Sequence, residues 1–332
     1  MSDLISLFDS LAIPSTQDTE IARFTAQPIQ SFERYRIAKD ADSAPTLLIS
    51  VSSQAGNSRP NPIAIEHLIV QHDVDCRISR PDGKLEEGRF TLIRCRGEER
   101  ILHIYFLRVA GALIMALGTK PSQQDVASAI NKLVELFRVM SEPSRKSVQG
   151  LWAELLLIVR SQDPAVLVSA WHSHPNDLYD FSKDNQRIEV KSVIGRLRRH
   201  HFSLEQLSPL QNTKVLVASV LVERAGGGVS ITDLIDQIRS KIATKPDLLF
   251  HLDYIVGLIL GDGWRSAIED RFDWELAINS IAFFEADAIP SIRANVPPEV
   301  SNISFVSDLS QIARADTNAY RARGGLFNAA LR

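Results

Sequence analysis

Cysteine is scarce in this chain of 332 residues, which contains only Cys76 and Cys95. Two cysteines are too few for a disulfide framework, and these two lack the spacing of a structural zinc site. Both lie in strand-like runs, so we expect them to be small, buried apolar residues.

The chain also lacks a large excess of charge and a long apolar run. Its formal net charge is -3, so any binding to nucleic acid must depend on a local basic patch. No apolar run approaches the ~20 residues that cross a bilayer. The first residues, MSDLISLFDSLAIP, carry acids where a signal peptide carries bases. We therefore expect a cytoplasmic protein with no membrane partner.

A phosphate-binding loop is absent as well. The glycines at 226–228 are not followed by the Lys-Ser/Thr pair that such a loop requires, which argues against an ATPase. The sequence predicts a flexible turn there.

The sequence predicts a β-rich N-terminal module over residues 1–120. A helix from Leu4 to Leu11 and a polar, weakly structured stretch come first. Five β-branched or aromatic-rich runs follow: TLLISV, IEHLIVQHDVDCRIS, RFTLIRCR, ILHIYFL and ALIMALG. Residues 121–147 then form a connecting helix with Ser122 as its N-cap, and a linker.

The remaining residues, 148–332, alternate helices and strands, which indicates a mixed α/β domain. A helix over Val148–Arg160 precedes a short strand over Val166–Trp171. A hairpin comes next, in which KDNQ is the turn between LYDFS and RIEVKSV. The later elements are a strand KVLVASVLV, helices Thr232–Ile242 and Asp247–Ile259, and strand-like pieces at Trp274–Phe284 and Ile303–Val306.

The hairpin carries the most informative charged residues. If RIEVKSV is a strand, Glu189 and Lys191 share one face, with Ile188, Val190 and Val193 expected on the other. Asp180 lies on the preceding strand, across the turn. Taken alone, an acid-x-Lys triplet more often forms a surface ion pair, and the chain has a second one, Asp82-Gly-Lys84, in a turn.

The types of these side chains indicate a metal site. Two converging carboxylates, Asp180 and Glu189, with the backbone carbonyl of Val190, make an oxygen-rich site suited to Mg²⁺. Such an ion lowers the pKa of a bound water and neutralises charge that develops on a phosphodiester. Lys191 would orient or deprotonate that water, or stabilise the transition state.

This arrangement resembles the PD-(D/E)XK nuclease superfamily, and more narrowly the bacterial PD-(D/E)XK-motif proteins found among restriction and phage-defence genes. Four segments carry the resemblance: Gly150-Leu-Trp-Ala-Glu154-Leu155, Trp171 with Asp180-Phe181, Glu189-Val-Lys191, and His201-Phe-Ser-Leu-Glu-Gln206-Leu207. One departure is Tyr179, which stands where the superfamily motif has proline.

The resemblance implies a restriction-endonuclease-like core, in which helices flank a central mixed sheet, together with the N-terminal β-rich module. It implies that Asp180 and Glu189 are metal ligands and that Lys191 is the catalytic lysine. Glu154 would be an auxiliary acid, and Gln206 an accessory polar residue of the catalytic site.

The implied activity is hydrolysis of DNA by a Mg²⁺-dependent endonuclease, with Mn²⁺ as an alternative ion, in restriction or phage defence. The products would carry a 3′-hydroxyl and a 5′-phosphate. The N-terminal module would recognise DNA, a modified base or a partner subunit. A double-strand cut is compatible with a homodimer or a partner nuclease. Three alternatives stay open: a catalytically silent subunit that binds DNA or a partner, an enzyme acting on RNA, and a structural subunit.

Other charged residues allow two readings each. His172 and His174 are expected to be surface or loop residues, or to contact phosphate, because two histidines without a third ligand rarely form a metal site. The basic run after the hairpin is either a solvated face or a phosphate-contacting patch. Its candidate DNA contacts are Arg196, Arg198, Arg199 and His201.

Overall fold

The computed structural model describes residues 4–14, 22–50, 60–141, 147–172, 177–267, 269–292, 296–297 and 299–332. It divides into two compact units, Met1–Glu142 and Pro143–Arg332. Both units contain helices and strands, and the sheet of the second is mixed, so the predicted fold class is confirmed. The functional division at residues 120 and 147 stays a prediction.

The first unit is built around a sheet that closes on itself. Its elements are α1 (Leu4–Asp9), β1 (Ala22–Ile29), β2 (Phe32–Lys39), β3 (Pro45–Ser50), β4 (Ile63–Ala64), β5 (Leu68–Ser79), β6 (Leu85–Cys95), α2 (Arg100–Leu117) and α3 (Gln123–Val139). The strand order is β1-β2-β3-β6-β5-β4, and β1 also pairs with β5 in parallel. Apolar side chains from five of these strands, among them Phe24, Leu48 and Phe90, form a core cluster.

Helix α2 corrects the sequence analysis, which predicted two strands over the same residues. Its buried side chains include Leu102, Phe106, Ala110 and Leu113, whose steps of three and four are those of a helix face. The β-branched and aromatic composition was misleading, and Gly111, which lies between the two predicted strands, is inside the helix and not in a turn. The polar stretch before residue 40 also differs from expectation, since most of it forms β1 and β2.

Among the described helices, α2 alone has the length and apolar composition of a membrane span. However, 56% of the helix is buried inside the unit, as in the core helix of a soluble protein. The two cysteines are buried apolar residues, as predicted, and burial raises the pKa of Cys76 and of Cys95 to about 12. Helix α3 begins after Ser122, whose side chain accepts a hydrogen bond from the amide of Asp125, as expected of an N-cap.

The second unit surrounds a four-stranded mixed sheet. Its elements are α4 (Val148–Arg160), α5 (Pro164–Ala170), β7 (Phe181–Lys183), β8 (Gln186–Ile194), β9 (Arg199–Ser203), β10 (Lys214–Val222), β11 (Arg224–Ser230), α6 (Ile231–Lys241), α7 (Pro246–Leu260), α8 (Trp264–Ala267), β12 (Arg271–Phe272), α9 (Trp274–Ser280), β13 (Ala282–Glu285), β14 (Ser304–Asp308), α10 (Thr317–Arg321) and α11 (Gly325–Ala330). The sheet order is β13-β10-β8-β7.

Strand β8 lies in the interior of this sheet, parallel to β10 and antiparallel to β7. Helix α4, buried from Leu151 to Val159, covers one face, and Gln149 Nε2 donates to Ser192 Oγ there at 3.1 Å. The other face carries a second core cluster that includes Val215, Val217 and Phe202. Successive side chains of β8 therefore alternate between the face covered by α4 and the face that carries the second core cluster.

Three local predictions in this unit are wrong. The strand predicted over Val166–Trp171 is helix α5, because Asp163 caps it and Pro164 occupies its first turn, two helix-start signals. The glycines at 226–228 lie in β11 and not in a flexible turn, and a Cβ on Gly228 would lie 2.3 Å from the carbonyl oxygen of Phe272. Most of the strand-like piece at Trp274–Phe284 is helix α9, followed by β13.

Candidate functional site

Strand β8 brings Glu189 and Lys191 to the same face of the sheet. The pairing of β8 with β10 runs from Gln186 to Ile194 without a register shift, so the alternation of side chains is regular. Lys191 Nζ lies 2.8 Å from Glu189 Oε1. The same alternation places Val193 on the face of Glu189 and Lys191, which corrects the prediction that it lies opposite.

Gln206 joins both charged side chains. It lies in a short 3₁₀ helix, Glu205–Leu207, after β9. Its Nε2 donates to Glu189 Oε1 at 2.8 Å, and its Oε1 accepts from Lys191 Nζ at 3.2 Å. We call Glu189, Lys191 and Gln206 the strand triad. The side-chain amide of Gln206 is oriented by two backbone groups: its Nε2 donates to the carbonyl oxygen of Leu178, and its Oε1 accepts from the amide of Ser203.

The strand triad is bordered by aromatic side chains. Lys191 Nζ lies over the ring of Phe202, 5.3 Å from its centroid. The hydroxyl of Tyr179 donates to the carbonyl oxygens of Glu205 and Gln206, both at 3.3 Å. Burial, and then the negative charge of Glu189, raise the pKa of Tyr179 to about 12. Tyr179, which replaces the motif's proline, therefore supports the loop that presents Gln206.

Asp180 precedes β7 and faces the backbone of β8. Its Oδ2 accepts a hydrogen bond from the amide of Val190 at 2.8 Å. The N–H and C=O of one strand residue point to the same side, so the carbonyl of Val190 is directed toward the edge where Asp180 lies. The structure thus brings the Asp180 carboxyl group next to the residue between Glu189 and Lys191.

Asp180, which binds the amide of Val190 beside the strand triad, also belongs to a second group of polar side chains. Glu154, His172 and Asp180 each offer one ligand atom, and these atoms all lie within 4.8 Å of one another. The three side chains are only 2%, 6% and 5% exposed. We call them the carboxyl–histidine cluster. Glu189 is not a member of it.

The middle of α4, the end of α5 and an isolated bridge position this cluster. Trp171 follows α5 and forms an isolated bridge with Phe181, and their rings stack with centroids 6.3 Å apart. The indole Nε1 of Trp171 donates to Glu154 Oε2 at 2.7 Å. The amide of His172 donates to the carbonyl oxygen of Asp180 at 2.8 Å. Trp171 and the bridge therefore carry His172 from α5 to the side of Asp180.

His172 corrects the sequence analysis, which expected a surface or loop residue. Its Nε2 lies 3.5 Å from Glu154 Oε2 and forms no hydrogen bond within the described ranges. The third ligand was missed because Glu154 is far from His172 in sequence and only folding brings them together. His174 lies outside the described residues.

The basic run has members with different surroundings. Arg198 is half-buried and donates to Ser219 O at 2.8 Å, to Ser219 Oγ at 2.7 Å and to the carbonyl oxygen of Ser280. These contacts hold the guanidinium of Arg198 against Ser219 and Ser280, and its contact with DNA stays a prediction. Arg199 is exposed and pairs with Asp308 at 3.1 Å. Arg196 and His201 are exposed, and phosphate contact stays a prediction for these two and Arg199.

His200 was not singled out from the sequence. It is buried, and its Nε2 lies 2.7 Å from Ser219 Oγ. Burial, and then the positive charges of Lys191 and Arg198, lower its pKa to about 4. His200 is therefore neutral near pH 7, between the basic run and the strand triad.

Comparison with known families places the chain in one of them. Residues 4–310 match the family described as "Putative PD-(D/E)XK family member, (DUF4420)". The chain belongs to this family. No curated protein and no solved structure gives a significant match.

Membership in a PD-(D/E)XK family indicates a nuclease, and nucleases of this class use divalent metal ions. The donors present fit such an ion. Asp180 and Glu154 supply buried carboxyl oxygens, Val190 a backbone carbonyl, and His172 a buried nitrogen that makes no hydrogen bond to the described residues. Carboxylates, carbonyls and imidazole are all ligands of divalent ions in proteins.

Proposed function

We propose that this protein is a metal-dependent DNA endonuclease that acts in bacterial restriction or phage defence, in the cytoplasm. Its proposed partners are DNA and other restriction or defence subunits, with a homodimer as one way to cut both strands. The proposal applies the chemistry of the PD-(D/E)XK class to the residues that this chain supplies.

One observation carries the proposal. Lys191 Nζ is 2.8 Å from Glu189 Oε1, and both lie beside Val190, whose amide binds Asp180. The alternative interpretation of the acid-x-Lys triplet is a surface ion pair on an edge strand. Such a pair would be exposed to solvent and would lack the contact with Asp180 through Val190. Glu189 is 5% exposed and belongs to an interior strand. Charged groups that are buried on a sheet need a partner or a function. Glu189 has Lys191 and Gln206 as partners, and its proposed function is to bind the metal ion.

Each residue of the site has a proposed role. A divalent ion held by Asp180, Glu189 and the carbonyl of Val190 supplies Lewis acidity and an activated water when bound. Lys191 contributes positive charge next to the reacting phosphate, or orients the attacking water. Gln206 fixes the relative positions of Glu189 and Lys191 by contacting both.

Glu154 and the basic run have supporting roles in the proposal. Glu154 acts as the auxiliary acid beside Asp180, held by the indole of Trp171. Arg196, Arg199 and His201 are the proposed phosphate contacts, because they are exposed on or just before β9. A local patch is needed because the chain as a whole is slightly acidic, with a net charge of -3.

A cleavage assay tests this function. Purified protein is incubated with supercoiled plasmid, linear duplex, single-stranded DNA and RNA, in Mg²⁺, Mn²⁺ or EDTA. We expect DNA cleavage with a metal ion, none in EDTA, and none by the Asp180→Asn variant.

Three outcomes would contradict the proposal. Cleavage by Asp180→Asn at the rate of the unmodified protein would show that the site lies elsewhere. DNA binding without cleavage under every condition would favour the catalytically silent subunit, and preferential cleavage of RNA would change the substrate.

A further inference from the structure

We propose that His172 adds a nitrogen ligand to the ion assigned above to Asp180, with Glu154 as a further carboxyl ligand, so that the carboxyl–histidine cluster selects a first-row transition ion such as Mn²⁺ over Mg²⁺. The inference deepens the proposed function by naming the class of cation, and its biological meaning rests on that function. Binding of the ion can nevertheless be measured without any cleavage.

The distances of the cluster suit a common ion. Two ligand atoms bound at ~2.1 Å lie about 3.0 Å apart at the octahedral angles that Mg²⁺ and Mn²⁺ favour, and about 3.4 Å apart at tetrahedral angles. His172 Nε2 and Glu154 Oε2 are 3.5 Å apart, and the third ligand atom, from Asp180, lies within 4.8 Å of both. Binding an octahedral ion therefore requires Asp180 to move inward, and His172 and Glu154 to approach each other by about 0.5 Å.

The state of His172 is the second observation. The side chain is 6% exposed, and its Nε2 forms no hydrogen bond to any described residue. Leaving a buried polar atom without a partner is unfavourable, because the atom loses its hydrogen bonds to water on folding. An imidazolium donating to Glu154 would give an N–H···O⁻ distance of ~2.7–2.9 Å, shorter than the separation observed. A cation between the two groups accounts for both the burial and the gap.

The two carboxyl groups of the cluster are oriented by donors outside it. Trp171 Nε1 donates to Glu154 Oε2 at 2.7 Å, and the amide of Val190 donates to Asp180 Oδ2 at 2.8 Å. Hydrogen bonds of this kind, from groups that do not touch the ion, hold metal ligands in position.

The nitrogen decides which ions are favoured. Mg²⁺ binds oxygen ligands and keeps several waters, whereas a site that includes nitrogen binds first-row transition ions with an affinity that rises in the order Mn²⁺, Fe²⁺, Co²⁺, Ni²⁺. Two carboxyl oxygens with one imidazole nitrogen form a mixed set that accepts Mn²⁺ or Co²⁺ readily. The cluster therefore predicts tighter binding of Mn²⁺ than of Mg²⁺.

The test measures ion binding directly. The full-length protein is titrated with Mn²⁺ and with Mg²⁺ by calorimetry, and the Mn²⁺ form is studied by pulsed electron paramagnetic resonance for coupling to ¹⁴N. The variants are His172→Ala, His172→Gln and, as a control, His72→Ala, which removes a half-buried imidazole of the first unit.

We expect ¹⁴N coupling in the unmodified protein and in His72→Ala, and its loss in both His172 variants. Loss of a ligand should weaken Mn²⁺ binding at least as much as loss of an outer hydrogen bond, about 10- to 100-fold. The affinity for Mg²⁺ should change much less. His172→Gln retains a polar group in the buried site, so it provides a folded variant if His172→Ala is unstable.

Two results would overturn the inference: ¹⁴N coupling that persists in His172→Gln, or Mn²⁺ and Mg²⁺ affinities that fall equally in that variant. Neither depends on cleavage. A protein that shows the nitrogen ligand but cuts no nucleic acid would contradict the proposed function and leave the metal assignment standing. Cleavage by a protein whose bound Mn²⁺ shows no ¹⁴N coupling would support the proposed function and contradict the metal assignment.

Discussion

The amide of Val190 donates a hydrogen bond to Asp180 Oδ2 at 2.8 Å, and this bond joins the two polar groups of the second unit. Val190 lies between Glu189 and Lys191 of the strand triad, whereas Asp180 belongs to the carboxyl–histidine cluster. Asp180 is therefore oriented by the backbone of β8, independently of any bound ion.

This bond predicts that stability and activity can be separated at Asp180. In Asp180→Asn the amide oxygen can still accept from Val190, so we expect little change in the free energy of unfolding but loss of cleavage. In Asp180→Ala the buried amide loses its acceptor, which costs about 1–3 kcal/mol. Urea denaturation and plasmid cleavage of both variants provide the measurement. Equal destabilisation by the two substitutions would contradict the role given to the bond.

Gln206 provides a test of the strand triad. Gln206→Met has a similar length but removes the contacts to Glu189 and Lys191. We expect kcat to fall about 10- to 100-fold, the loss typical of residues that orient a metal site. KM for DNA should change little, because Gln206 is not among the proposed DNA contacts. A rise in KM for DNA with unchanged kcat would instead assign Gln206 to substrate binding.

Trp171 provides a test of how Glu154 is held. Trp171→Phe removes the donor to the buried Glu154 Oε2, so we expect a loss of about 1–3 kcal/mol of stability. Trp152→Phe is a matched control, since Trp152 is equally buried and donates to the carbonyl oxygen of Val229 at 2.8 Å. Only Trp171→Phe should also weaken Mn²⁺ binding in calorimetry. Equal Mn²⁺ affinities in the two variants would argue against this role.

His200 predicts a pH dependence of stability. An unfolded histidine titrates near 6.5, whereas the pKa of His200 is lowered to about 4, first by burial. As the pH falls below 6.5, His200 becomes protonated in the unfolded chain, whereas in the folded chain it stays neutral until the pH approaches about 4. Stability is therefore lost over this window, by on the order of 3 kcal/mol from this group.

The measurement is urea denaturation at several pH values between 7 and 4. His200→Gln should show a shallower loss of stability, because glutamine does not titrate. His201→Gln serves as the control, since His201 is the exposed neighbour on the same strand. If the slope of His200→Gln equals that of the unmodified protein, His200 is not the group responsible.

Some of the site could be predicted from local sequence because strand geometry is local. The period of two is enough to place Glu189 and Lys191 on one face, and the turn after β7 brings Asp180 back toward β8. The same rule, applied carefully, also places Val193 with them. Helix α4 and helices α6 and α7 were evident from apolar spacing.

Other features depend on contacts between distant residues. His172 becomes a potential ligand only because α5 ends beside Asp180 and α4 brings Glu154 to it. Arg198 belongs to a basic run in the sequence, and only the fold brings its guanidinium to Ser219 and to the carbonyl of Ser280. Helix α2 was mistaken for two strands because composition was given more weight than periodicity, although Gly111 between them lies inside the helix.

The most direct measurement is the rate of supercoiled plasmid cleavage by Lys191→Met compared with Lys214→Met, at saturating Mg²⁺ or Mn²⁺. Lys214 is an exposed lysine at the start of β10 and controls for the loss of one positive charge. The account predicts that Lys214→Met cleaves like the unmodified protein and that Lys191→Met is at least about 100-fold slower, the scale of losing one preorganised donor to the transition state. Equal rates for the two variants would contradict the assignment of Lys191 and, with it, the proposed catalytic site.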